Sequence, residues 1–86
     1  MNRVFVSGTV QKKPEVMYTP QGERIITFVL WVEDGAFPME VLYMEPHRGR
    51  DVATMEGTTV MVAGTLTKKK GKGLTVKAHK IQWMEA

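Results

Sequence analysis

Residues 24–44 read RIITFVLWVEDGAFPMEVLYM. The first run, Arg24–Val32, is rich in β-branched and aromatic side chains and fits a long strand. Glu33-Asp34-Gly35 follows, and an Asp-Gly pair tolerates the positive φ of a tight hairpin turn. A second apolar run, Met39–Met44, completes a β-hairpin, and Pro46, which cannot donate to a ladder, stops it.

The same two-residue period extends outward in both directions. Upstream, RVFVSGTV puts Val4, Val6, Gly8 and Val10 on one face and Arg3, Phe5, Ser7 and Thr9 on the other. A short strand is expected around Glu15–Tyr18, closed by a TPQGE turn. Downstream, EPHRGRDVATMEG has room for one or two helical turns around Arg50–Met55, with Gly57 as the stop. TTVMVAGTL and LTVKAHKIQW then read as two strands joined by a lysine hairpin whose tip uses Gly71 and Gly73.

Five principal antiparallel strands with the one helical candidate between strands 3 and 4 predict an all-β protein. The expected architecture is a five-stranded Greek-key OB-fold barrel with at most one short helical turn. An SH3-like barrel fits less well, because the first strands are long and the connector falls between the third and fourth. No repeat, linker or low-complexity tract interrupts the chain, so residues 1–86 are read as one domain.

Composition narrows the function. An 86-residue chain buries one modest core, and a partner subunit would add to it. There is no cysteine, hence no disulfide and no thiolate metal site, which fits a reducing, cytoplasmic setting. No apolar run approaches the roughly 18 residues of a membrane span, and the N-terminus lacks a signal-peptide core, so a soluble, unprocessed chain without a membrane partner is expected.

Net charge is +3, but it is unevenly distributed. Residues 1–57 carry six basic and eight acidic side chains, a balance of −2, whereas residues 58–86 carry six lysines against Glu85, a balance of +5. Clustered lysines gain binding free energy by releasing counterions from a phosphate backbone, so the basic third points to a polyanionic partner. The plain alternative is a lysine hairpin that keeps a strand edge solvated.

Catalytic signatures are lacking. His47 and His79 stand far apart, the single serine, Ser7, lies inside a strand, and no HExxH pair, phosphate-binding glycine loop or nucleophile elbow occurs. A non-enzyme with no cofactor and no metal is expected; His79, among lysines, reads as a solvated or packed side chain.

MNRVFVSGTV, PEVMYTPQGE and TFVLWV together resemble the N-terminal part of bacterial single-stranded DNA-binding proteins, through Asn2, Arg3, Val4, Gly8, Pro14, Glu15, Tyr18, Pro20 and Gly22. SGTV, FVL and the closing KKGKGLTVKAHKIQ are also similar to primosomal replication protein B, a small dimeric relative with a lysine-rich loop. The chain departs from the first family at Glu33-Asp34-Gly35, which nearly eliminates a longer loop bearing a stacking tryptophan. It also ends in IQWMEA, without the acidic tail by which those proteins recruit partners.

The resemblance implies a binding face on the outer side of the 24–32 and 39–44 strands, with aromatics stacking on bases and lysines tracking phosphates. It sends Phe28, Leu30 and Val32 inward, and Thr27, Val29 and Trp31 outward. Trp31 is the leading stacking candidate, because an outward tryptophan calls for a cover, either a base or a second subunit. Phe37 is the nearest counterpart of an aromatic at the start of the next strand; Leu42, Met44 and Glu40 share the outer face if Val41 and Tyr43 point inward, and Tyr43 is the outward stacker in the other register.

Lys68, Lys69, Lys70 and Lys72 form one wall of the expected groove, and Lys77 extends it along the last strand with Lys80. Arg3, Lys12, Lys13 and Arg24 complete the track from the other side. Trp83 is assigned to core or interface packing.

The expectation is therefore a protein that binds single-stranded DNA with low sequence specificity and acts in replication, primosome assembly or repair. RNA is the alternative nucleic acid, and replication proteins are candidate partners. A homodimer is expected, with a tetramer as the larger option. The competing class is an OB-fold protein-interaction module.

Overall fold

The computed structural model describes residues 1–45, 51–69, 71 and 73–84. Among them are six strands, β1 Val4–Val10, β2 Glu15–Tyr18, β3 Arg24–Val32, β4 Phe37–Glu45, β5 Thr59–Lys69 and β6 Gly73–Met84. A single 3₁₀ turn, Val52–Thr54, lies between β4 and β5. They form one sheet in the order β1-β5-β6-β4-β3-β2, and a further β1–β3 pairing closes it into the barrel of an OB-fold.

The short strand expected at Glu15–Tyr18 forms, paired to β3 from Glu15 opposite Thr27 to Tyr18 opposite Arg24. One expectation is corrected: the pairing is not antiparallel throughout, because β4 and β6 run parallel from Glu40 beside Thr75 to Tyr43 beside Ala78. A parallel pair needs a long crossover, and the 3₁₀ connector, β5 and its hairpin supply it. The expected helical turn is shorter than Arg50–Met55, and Arg50 lies outside the described residues.

Alternation does the sorting between core and surface. On β3, Ile26, Phe28, Leu30 and Val32 are buried, while Ile25, Thr27, Val29 and Trp31 are half-exposed on the other face. They join Val10, Val41, Val60, Val62, Val76 and Ala78 in one core. Each large aliphatic side chain so buried contributes roughly 1.5–3 kcal/mol, which in a chain this small makes every core position matter.

The connector contributes to the same core. Asp51 caps the 3₁₀ turn by accepting from the Ala53 N–H at 3.0 Å, and the turn delivers Met55 to a site where it is 1% exposed. Gly57 N–H then donates to the Val10 carbonyl and Val10 N–H to the Thr58 carbonyl, tying the connector to the end of β1.

Closure depends on Gly8. A Cβ there would collide with the Trp31 carbonyl oxygen, so only glycine lets β1 cross onto β3 at Thr9 opposite Trp31 and Val10 opposite Leu30. At the other end of β1, the Asn2 side chain acts as a surrogate strand. Its amide donates to the Leu66 carbonyl at 2.7 Å, and its oxygen accepts from the Leu66 N–H at 2.9 Å. Trp83, opposite Val60, packs against the core, in line with the role expected for it.

Candidate functional site

Strand register builds the outer face in rungs, because directly paired residues point to the same side of a sheet. The first rung runs Thr9, Trp31, Pro38 across β1, β3 and β4. The second runs Val29, Glu40, Thr75, and the third Thr27, Leu42, Lys77, both across β3, β4 and β6. Successive rungs lie about 6.8 Å apart along the strands.

Trp31 is half-exposed and is flanked by two small neighbours, a threonine and a proline. Pro38 sits where β4 has not yet met β6, an edge position at which the missing N–H leaves no ladder bond unmade. The indole is therefore partly open to solvent on this face. Thr9, on its other side, donates its hydroxyl to Glu33 Oε1 at 3.2 Å.

Glu40 is the acidic element of the face. The Thr75 hydroxyl donates to its Oε1 at 3.0 Å, and Thr75 in turn accepts at its carbonyl from the Thr67 hydroxyl at 3.3 Å. Lys77 is exposed on the next rung of the same face. These threonine clamps were not foreseen from sequence, since nothing local links position 40 to position 75.

The remaining candidates divide by position. Tyr43 shares the parity of Val41, sits opposite Ile26 and packs against the core, so strand phase puts it on the inner set. Phe37 opens β4 opposite Val32, is 40% exposed, and lays its ring over Gly35 at the turn. It stands at the rim of the barrel, off the outer face.

Arg24 is committed elsewhere. It lies directly opposite Glu45 and forms an ion pair with it at 3.3 Å, on the side of the sheet away from Trp31. Lys12 and Lys13 are exposed in the β1–β2 loop, and Arg3 is exposed just before β1. Lys68 is exposed near the end of β5, opposite Leu74, and Lys69 closes that strand opposite Gly73. Lys70 and Lys72 lie outside the described residues.

Among the described residues no group of three metal-ligating side chains occurs, and no helix is long and apolar enough to cross a membrane.

The fold and this face define an OB-fold barrel of the architecture seen in bacterial single-stranded DNA-binding proteins and PriB. No protein-family model matches the sequence, and no curated protein matches it. Among solved structures, the single-stranded DNA binding protein from Thermus aquaticus superposes with a TM-score of 0.87 at 22% identity, covering 100% of this chain and 41% of that one. The chain thus spans about two fifths of the length of that protein. The dimeric N-terminal domain of PriB from Thermoanaerobacter tencongensis gives a TM-score of 0.79 at 24% identity, covering 99% and 98% of the two chains. The second single-stranded DNA binding protein, SSBb, of Mycobacterium smegmatis gives 0.82 at 16% identity, over 98% and 87%.

Proposed function

We propose that the chain is a non-enzymatic OB barrel that binds single-stranded DNA with little sequence preference, acting in the cytoplasm in replication, primosome assembly or repair. The observation that carries this reading is Trp31, half-exposed on the outer face of β3, with Lys77 two rungs away on the same face. A face that carries both an aromatic platform and a cation suits a sequence-tolerant single-strand site, because every base has a π-face and every nucleotide a phosphate. The names of the structurally similar proteins support the same chemistry.

On this reading Trp31 stacks on a base, Lys77 and Lys68 follow the phosphates, and Lys69, Lys70 and Lys72 continue the wall by sequence. Lys12, Lys13 and Arg3 flank it, and Phe37 is a secondary stacker at the rim. Arg24, paired to Glu45, and Tyr43, packed inward, contribute through the barrel that holds the site.

Titration of labelled oligo-dT against duplex of equal length tests the proposal, with oligo-U as the RNA arm. Tight, salt-sensitive binding of oligo-dT and weak binding of duplex are expected. No binding at low salt overturns it and favours a protein-interaction module, a reading to which exposed Met61 and Met84 on β5 and β6 lend support.

The protein is further proposed to be a homodimer. Along β1, no described strand pairs the second edge before Thr9, so Val4–Gly8 offers a ladder to a second copy. Sedimentation that shows only the 9.7 kDa species at about 10–100 μM, a range in which a stable dimer with a standard-size interface persists, counts against it.

A further inference from the structure

A second concavity lies on the far side of the barrel, on the outer face of β1, β5 and β6. Its volume is about 430 Å³, and Arg3, Phe5, Thr65 and His79 line it with Ala63 and Gly64 beneath. That is the size of a small-ligand pocket. Phe5 is 72% exposed and sits opposite Ala63, whose short side chain leaves the ring edge open.

The hollow comes from a β-bulge. Ala63 pairs with Lys80, but Gly64 pairs with Ala78, so His79 is an extra residue on β6 with no partner opposite. Gly64 tolerates the close approach because a Cβ there would strike the Lys77 carbonyl. The bulge re-aims His79 and leaves it exposed at the wall of the cavity.

Charge marks the occupant. β1, β5 and β6 contain no aspartate or glutamate, whereas they and the residue before β1 carry Arg3, Lys68, Lys69, Lys77 and Lys80. An aromatic ring in a carboxylate-free, cationic hollow suits a nucleotide: the ring takes the base, and the cations take the phosphate.

The hollow is also continuous with the face that bears Trp31. Asn2 bonds to Leu66, and Val4 pairs with Gly64, which puts Arg3 beside Thr65; Thr65 pairs with Lys77, and Lys77 with Leu42. One rung therefore runs Arg3, Thr65, Lys77, Leu42, Thr27 around the barrel. Pairing of two copies along the β1 edge extends the sheet in its plane and leaves this face open.

We infer that the Arg3–Phe5–Thr65–His79 concavity receives one nucleotide of a single strand that leaves the β3–β4 face over Lys77, with Phe5 stacking on its base and Arg3 and Lys80 holding its phosphate. The inference rests on the single-strand reading above and extends its path.

The test uses the full chain and oligo-dT of about 10 and about 30 nucleotides, the first within the span of one OB-fold face and the second beyond it. Phe5→Ala is expected to weaken binding of the longer strand about tenfold, to leave the shorter within about twofold, and to be rescued by Phe5→Trp, as loss and return of one stacking contact require. Ultraviolet cross-links to the longer strand are expected in the tryptic peptide 4–12, which holds Phe5.

Unchanged binding of both lengths by Phe5→Ala overturns the inference, as does an absence of cross-links in that peptide while they form elsewhere. A change in sedimentation of Phe5→Ala without any cross-link at Phe5 overturns it too, and assigns the face to contact between copies. Failure of the unaltered protein to bind either length is a separate result, which overturns the functional reading itself.

Discussion

Thr75 holds Glu40 in place across the parallel junction of β4 and β6, its hydroxyl 3.0 Å from the carboxylate oxygen Oε1. The clamp fixes a negative charge on the second rung of the outer face, between the Trp31 rung and the Lys77 rung. On the proposed reading, phosphates of a strand crossing this face are repelled by Glu40 and attracted by Lys77.

Glu40→Gln should therefore bind oligo-dT more tightly than the unaltered protein. For a phosphate taken to lie about 8 Å from the carboxylate, at an effective dielectric of about 40–80, the repulsion removed is about 0.5–1 kcal/mol, or two- to fivefold in affinity. The gain should shrink as salt rises, because screening weakens the repulsion. Thr75 keeps an acceptor in the amide oxygen, so the urea midpoint should move little. Titration at two salt concentrations checks the prediction, and equal or weaker binding refutes it.

Gly8→Ala should damage the barrel far more than Gly22→Ala. The new methyl group at position 8 meets the Trp31 carbonyl where β1 closes onto β3, and backbone cannot yield there without loss of the β1–β3 pairing. A loss above about 3 kcal/mol, or failure to fold, is expected from such overpacking. Gly22 has nothing within 4 Å of its would-be Cβ but holds φ at +86°, so only left-handed strain of about 1–2 kcal/mol applies. Urea denaturation of the two variants side by side is the measurement.

Asn2→Ala should cost about 1–2 kcal/mol although the side chain is exposed, because it removes both hydrogen bonds to the Leu66 backbone. Asn2→Asp keeps the acceptor for the Leu66 N–H but loses the donor to its carbonyl, and should fall between the two. Amide exchange at Leu66 reports the local loss directly.

The β3–β4 hairpin was legible because both strands and the turn are local, although the positive φ falls on Ala36 and not on the Asp-Gly pair, and the inward set on β3 was implied by the resemblance. The phase of β4 was less legible: Met39, Val41, Leu42, Tyr43 and Met44 are all apolar, so alternation cannot choose a face, and only Val41 at 0% exposure decides it. The parallel β4–β6 pair, the Thr75–Glu40 clamp and the Arg24–Glu45 ion pair join residues far apart in sequence with no local signature. The bulge at His79 is equally silent, since a strand pattern reads the same with or without one unpaired residue.

The two halves of the proposed site should separate by their response to salt. If Lys68, Lys69, Lys70 and Lys72 contact phosphates, each contact releases counterions, and log affinity falls with log salt by about 0.7 per contacted phosphate on a single strand. Replacing all four with alanine should flatten that slope by roughly two to three units. Trp31→Ala should instead weaken binding by about 1–3 kcal/mol with the slope nearly unchanged, because stacking on a base is not screened by ions. Fluorescence titrations of oligo-dT across a salt series measure both quantities for both variants. An unchanged slope in the lysine variant makes the hairpin a solvated tip. A flattened slope with no effect of Trp31→Ala keeps the electrostatic wall but moves the stacking platform off the first rung, with Phe37 at the rim the next residue to replace.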